Sequence, residues 1–232
     1  MVRYFYDAVF YEKEKLAEMC EILKDFGCRE AFFFLENDGK DMKCIKDIKN
    51  YIKKVAKDKI NFKFGIFVKN EKNVENLKNL KKKIGDSLII AIEVDDFEVL
   101  RKIVDQKAAD IIVDPQRHRK DEGIDHVIAK KMKENNTGLM ITLSNLFSME
   151  GKRRCMEFGK IKEICKYYNK YSFPLLISSF VSDPLLIRDP VSRASLMREL
   201  GVKEDKALDT VSKNYSKIKN NGDKGFVVRW IK

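Results

Sequence analysis

The sequence predicts an α/β fold, an irregular TIM-like (β/α) barrel in a single domain. Three observations predict it. Seven short apolar runs each lead into a stretch with apolar residues at three and four spacing, the mark of a buried strand followed by an amphipathic helix. The units recur at roughly 22 to 36 residues, as βα repetition requires. No glycine-rich phosphate loop follows any run, which places an open doubly wound sheet second. At 232 residues the chain is long enough for one large core and short for two average domains. With no linker rich in Pro, Gly or Ser, residues 1–232 read as one barrel domain, with a C-terminal helix and tail from about 203.

The elements follow in order. Strands are expected at Arg3 to Val9, Ala31 to Leu35, Phe62 to Val68, Leu88 to Val94, Asp110 to Val113, Leu139 to Leu143 and Pro174 to Ser179. Most are continuous apolar runs, as suits parallel strands covered outside and packed inside. The first helix carries Leu16, Met19, Leu23 and Phe26, and the second Ile45, Ile48, Ile52 and Val55. Val74, Leu77 and Ile84 mark the third, Phe97, Leu100 and Val104 the fourth, Ile124, Val127 and Ile128 the fifth, and Ile161, Ile164, Cys165 and Tyr168 the sixth. Lys203 to Lys219 reads as a further helix, Asn220 to Lys224 as a turn, and Phe226 to Ile231 as a strand or ordered tail. Seven clear strands leave the eighth of a regular barrel missing or weak.

Hydrophobic residues at 44% and charged residues at 36% are a globular composition, outside the disordered regime. The net charge of +11 points to a polyanionic partner, nucleic acid before acidic protein or membrane. A lysine-rich thermophile is the plainer alternative, and the presence of only two glutamines, Gln106 and Gln116, fits it. The charge is unevenly placed: residues 43–83 hold fourteen lysines against four acids. Lys46, Lys49, Lys53 and Lys57 fall at helical spacing opposite Ile45, Ile48 and Ile52, a solvated basic stripe. The five cysteines, Cys20, Cys28, Cys44, Cys155 and Cys165, read as reduced thiols, most on apolar helix faces. With no signal-peptide pattern and no run of about 18 apolar residues, the expected location is the cytoplasm, with no membrane partner.

Of eleven arginines, six fall in three stretches that follow strands: Arg117 and Arg119 with Lys120, Arg153 and Arg154 with Lys152, and Arg188 with Arg193. Loops at the carboxyl ends of barrel strands share one face, so these residues are expected to form a phosphate-binding or partner rim, guanidinium forks being suited to bidentate grip. Pairing with Asp121, Glu122, Asp183 and Asp189 is the competing expectation. The two histidines, His118 and His126, match no metal-ligand spacing, even with Asp114, Asp121, Glu122 and Asp125 nearby. Asp114 reads as a strand-end turn residue, and Ser178 and Ser179 as backbone-bonding hydroxyls rather than nucleophiles. Asp7, Glu36, Glu93 and Asp95 stand at strand ends, where carboxylates serve a metal or merely cap a helix. No constellation for catalysis emerges, and neither catalytic residues nor a metal site is assigned.

The segments YFYDAVF, IIVDPQRHRKDEGIDHVIAKKMKENN, LFSMEGKRRCMEFGKIKEICKYYNKYSFPLLISSF and LIRDPVSRASLMRELG together resemble the ribonuclease P protein component 3 family, the archaeal counterpart of the eukaryotic ribonuclease P barrel subunit. The resemblance runs from Tyr4 to about Gly201. It implies a polymerase-and-histidinol-phosphatase type barrel and an accessory role in a ribonucleoprotein that removes the 5′ leader from precursor tRNA. The RNA subunit, with magnesium, would carry the chemistry, and this chain would bind no cofactor. Implied partners are ribonuclease P RNA, precursor tRNA, other ribonuclease P proteins, and a small ferredoxin-like, RNA-recognition-like subunit in a dimer of heterodimers. Leu146, Phe147 and Met149 are candidates for that protein contact. Metal-dependent relatives of the barrel end their first strand in His-x-His; here Tyr6, Asp7, Ala8 and Val9 stand there. Phe180 departs from the family pattern, in which a glycine commonly follows the two serines. An autonomous metal-dependent phosphoesterase is the alternative function, and an enzyme acting on a small phosphorylated metabolite a third.

Overall fold

The computed structural model describes residues 4–36, 42–69, 71, 73–84 and 88–218. Seven parallel strands stand in sequential order: β1 (Phe5–Phe10), β2 (Cys28–Glu36), β3 (Asn61–Lys69), β4 (Ile89–Glu93), β5 (Ile111–Val113), β6 (Gly138–Thr142) and β7 (Leu175–Ser178). Between them run α1 (Leu16–Asp25), α2 (Met42–Ala56), α3 (Val74–Ile84), α4 (Phe97–Asp105), α5 (His126–Asn135), α6 (Leu143–Ser148) and α7 (Gly151–Tyr171). After β7 come a 3-10 turn, α8 (Pro190–Glu199), α9 (Glu204–Ala207), a second 3-10 turn at Leu208–Val211, and α10 (Lys213–Lys217). All seven expected strands are present. The expected helix from Lys203 to Lys219 is instead broken into three pieces, and the expected turn and strand beyond it lie outside the described residues.

Alternation along each strand divides the core in two. Val9, Ala31, Phe33, Ile66, Ile92, Ile112 and Ile141 face the helices, while Ala8, Phe32, Phe34, Phe67, Ala91, Ile111, Met140 and Leu176 fill the lumen. Gly65 belongs to the lumen side, where an added Cβ would come within 2.4 Å of the Phe34 ring and 2.8 Å of the Ile89 carbonyl. Tyr215 plugs the lower lumen, its ring 5.7 Å from Tyr6 and stacked on it, and its hydroxyl donates to the Ile177 carbonyl at 3.0 Å.

Closure between β1 and β7 needs no eighth strand. Just beyond β7, Phe180 N–H donates to the Ala8 carbonyl at 2.9 Å and Phe10 N–H to that of Val181 at 3.0 Å. Below them Arg193 of α8 spans the seam, donating to the Ile177 carbonyl at 2.8 Å, the Tyr6 carbonyl at 2.9 Å and the Arg188 carbonyl at 3.1 Å. The same guanidinium meets Asp7 Oδ1 at 2.9 Å, and both side chains are wholly buried. Ser178 Oγ donates to the Ala8 carbonyl at 2.7 Å and Ser179 Oγ to Asp7 Oδ2 at 2.7 Å. A planar cation that donates to carbonyls of both strands thus replaces part of a missing ladder.

Candidate functional site

The carboxyl ends of the strands surround a cleft of about 750 Å³. Its floor is aromatic: Phe180 packs at 4.4 Å from Phe10, 5.7 Å from Phe34 and 5.2 Å from Phe67, measured between ring centres. Phe180 holds a left-handed φ of 48°, a conformation favouring the glycine common at this position in the resembled family. The ring's burial among three phenylalanines offsets that cost.

The cleft's charges are spent on one another. Lys69 meets Glu36 at 2.6 Å, and Arg117 Nη1 meets both oxygens of Glu93, at 3.1 and 3.3 Å. Asp114 takes a left-handed turn at the end of β5, φ 42°, and its carboxylate accepts from Thr142 N–H at 3.0 Å and from the Thr142 hydroxyl. Burial pushes Asp114 up to about 7, the nearby Glu93 charge adding to the rise and the bonds from Thr142 and Gln116 opposing it. Asp7 points away from the lumen, toward α8, and its carboxylate is held by Arg193 and both serines. Among the described residues, no group of three or more His, Cys, Asp or Glu is placed to hold a metal ion. Ser178 and Ser179 are both committed to Asp7 and backbone, so neither is a free nucleophile.

The rim differs from its expected form. Arg119 is held bidentately by Asp121, at 2.6 and 2.8 Å, and donates to the Asp95 carbonyl at 2.8 Å. The loop carrying it is fixed from below: Lys160 of α7 donates to the Gln116 carbonyl at 3.1 Å, Tyr167 to Glu122 at 3.3 Å. Gly123, with φ +76°, would carry a Cβ only 2.1 Å from the Pro115 carbonyl oxygen. Arg153 and Arg154 lie in the first turn of α7 rather than in a loop. Arg154 donates to the Met149 carbonyl at 2.7 Å and the Phe147 carbonyl at 3.4 Å, and Arg188 sits 5.9 Å over the Phe147 ring, so these two converge. Arg193 does not belong to the rim at all; it is the buried rivet of the seam. Lys120, Lys152 and Arg153 are exposed. On the outer wall Lys46, Lys53 and Lys57 are exposed and Lys49 half-buried, opposite buried Ile45 and Ile52, which matches the expected stripe; Lys57 lies just past the end of α2. Of the apolar candidates, Leu146 is buried, Met149 half-buried and Phe147 half exposed.

Sequence reasoning missed the pairing of Arg117 with Glu93, the aromatic floor and the buried Asp114 carboxyl. Only the floor left a trace, a phenylalanine in each of β1, β2 and β3 near its carboxyl end.

Residues 5–224 match the model of a family described as RNase P subunit p30. Ribonuclease P protein component 3 of Methanothermobacter thermautotrophicus is 25% identical over 130 residues, 56% of this chain and 53% of that one; the chain spans about half the length of this relative. A chain in the cryo-EM structure of archaeal ribonuclease P with mature tRNA superposes with a TM-score of 0.78 at 22% identity, covering 92% of this chain and 89% of that one. Histidinol phosphate phosphatase from Lactococcus lactis, solved with zinc, L-histidinol and phosphate, superposes at 0.58 with 11% identity, covering 86% and 94%. At these identities the superpositions establish the fold, a (β/α) barrel.

Proposed function

The chain belongs to the RNase P subunit p30 family, and from that premise we propose that it is an RNA-associated, non-catalytic subunit of the ribonuclease P that matures the 5′ end of precursor tRNA. One observation carries the non-catalytic part: the strand-end groups a hydrolase would use are already satisfied by each other. Asp7 is locked to Arg193, Glu93 to Arg117, and both serines to Asp7 and backbone. Magnesium would then be held by the RNA subunit, with none resident in this chain.

Electrostatic attraction would come from outside the cleft. Lys120, Lys152 and Arg153, with the outward edges of Arg154 and Arg188, form the candidate RNA-facing rim. Lys46, Lys49, Lys53 and Lys57 add a non-specific basic wall that raises on-rate and salt sensitivity. Phe147 at 50% and Leu185 at 76% exposure, linked through Arg188, which donates to the Leu185 carbonyl at 3.0 Å, are the candidate contact for the small ferredoxin-like protein subunit, in a dimer of heterodimers.

A phosphoesterase or phosphorylated-metabolite enzyme needs unspent cations facing its substrate, and the paired Arg117 and Lys69 of this cleft argue against both. Fluorescence anisotropy of labelled ribonuclease P RNA titrated with the chain tests the reading. Binding that weakens steeply with added salt is expected, with no phosphodiester cleavage by the chain alone in magnesium, manganese or zinc. Salt-independent association, or metal-dependent cleavage that copurifies with the chain, would refute it.

A further inference from the structure

The cleft has a second property, independent of its paired charges. Asn145, at the wall of the cleft beside Thr142 and Ser144, is only 6% exposed, and neither Nδ2 nor Oδ1 of its amide has a hydrogen-bond partner. An enclosed amide left in this state costs on the order of 1 to 3 kcal/mol for each unmet group, and such groups in folded proteins call for a reason. The backbone carbonyl of Asn145 is satisfied by Ser148 Oγ at 2.7 Å, so the deficit belongs to the side chain alone. Facing this wall is the floor of Phe10, Phe34, Phe67 and Phe180, a set of aromatic faces and edges with no polar atoms.

The two surfaces restrict the ligand. An anion is disfavoured, because Glu36, Glu93 and Asp114 line the cleft while Lys69 and Arg117 are neutralised. An aliphatic ligand would leave the amide unmet. A flat, uncharged ring with an adjacent donor and acceptor on one edge satisfies both surfaces: stacking on the phenylalanines and a bidentate bond to an asparagine amide. The cleft, at about 750 Å³, lies within the range of small-ligand sites, roughly 300 to 1,000 Å³. We propose that the mouth of the barrel is a nucleobase pocket for an adenine-type edge, with Asn145 reading the edge and the Phe10, Phe34, Phe67 and Phe180 cluster taking the face. Thr142 and Ser144 supply hydroxyls beside it. The inference rests on the RNA-associated reading for the source of the base, an unpaired nucleotide of bound RNA; a free nucleoside presents the same chemistry.

The test is an NMR titration of the full chain with adenosine, which carries no phosphate, and with ribose 5-phosphate, which carries no base. Adenosine should shift the signals of Thr142, Asn145 and Phe180 saturably, and ribose 5-phosphate should not. Because its amide has no partner to lose, Asn145→Leu should melt at or above the temperature of the parent while binding adenosine at least tenfold more weakly. Competition by oligoadenylate, but not by an abasic strand of equal length, would assign the base to RNA; adenosine binding without that competition would keep the pocket and assign it to a free nucleoside. Absence of adenosine shifts up to its solubility limit, equal binding of ribose 5-phosphate, or unchanged affinity in Asn145→Leu would overturn the proposal. Failure of the RNA-associated reading shows separately, as absent binding of ribonuclease P RNA whatever adenosine does.

Discussion

Cutting the seam rivet is the most informative perturbation of the fold. Arg193 and Asp7 are fully buried and 2.9 Å apart, so removing one partner strands a desolvated charge. Breaking a pair of this kind costs about 3 to 5 kcal/mol, a large share of a total stability of roughly 5 to 15 kcal/mol. Asp7→Asn keeps an oxygen for Ser179 N–H, now 2.9 Å from Asp7 Oδ1, and should fall at the lower end. Arg193→Met also orphans the carbonyls of Tyr6, Ile177 and Arg188 and should exceed it. The double variant should cost less than the sum of the two, with a coupling on the order of 2 kcal/mol. Urea unfolding followed by circular dichroism at pH 7 measures all three. Single variants within about 1 kcal/mol of the parent, or additive ones, would show that the guanidinium does not close the barrel.

The remaining expectations concern charge. Asp114, held at about 7 against an ordinary 3.8, is stabilising in its protonated form. That contribution is full below about pH 4 and is lost as pH rises through about 7, at most about 4 kcal/mol across the window; Asp114→Asn should flatten this part of the unfolding free-energy profile and raise stability at pH 8. Lys152→Ala with Arg153→Ala should leave the melting temperature nearly unchanged and weaken RNA binding by roughly ten-fold to several hundred-fold, if each contact is worth about 1 to 3 kcal/mol. Arg117→Ala, by contrast, should lower the melting temperature because it leaves the largely buried Glu93 unpaired, as differential scanning calorimetry would register. Charge reversal at Lys46, Lys53 and Lys57 should flatten the dependence of RNA affinity on salt, and an unchanged slope would reduce the stripe to a solvated helix face.

The strands were legible because burial on both faces demands continuous apolar runs, and Phe62–Val68 or Leu88–Val94 admit little else. The helix ends were less so. Ile124 reads as helical by spacing, yet α5 begins at His126, after Asp125 caps it by accepting from Ile128 N–H at 2.7 Å. Lys203–Lys219 has helical composition but breaks, because Asn214 and Tyr215 turn inward to bond the Leu175 and Ile177 carbonyls at 2.9 and 3.0 Å. In the site, Arg119 with Asp121 was legible as a near neighbour. Arg117 with Glu93, 24 residues apart, and Arg193 with Asp7, 186 apart, were not, since only the closed barrel brings them together. An arginine that follows a strand looks alike in sequence whether it faces solvent or seals a seam.

The central claim is that the chain supports a catalytic RNA without performing the chemistry, and reconstituted cleavage of precursor tRNA tests it most directly. The RNA subunit and its other protein partners, assayed at limiting magnesium with and without this chain, should cleave the 5′ leader faster when it is present, while the chain alone cleaves nothing at any metal concentration. Leader removal by the chain in the absence of the RNA subunit, abolished by substitutions at Glu93 or Asp114, would contradict the account.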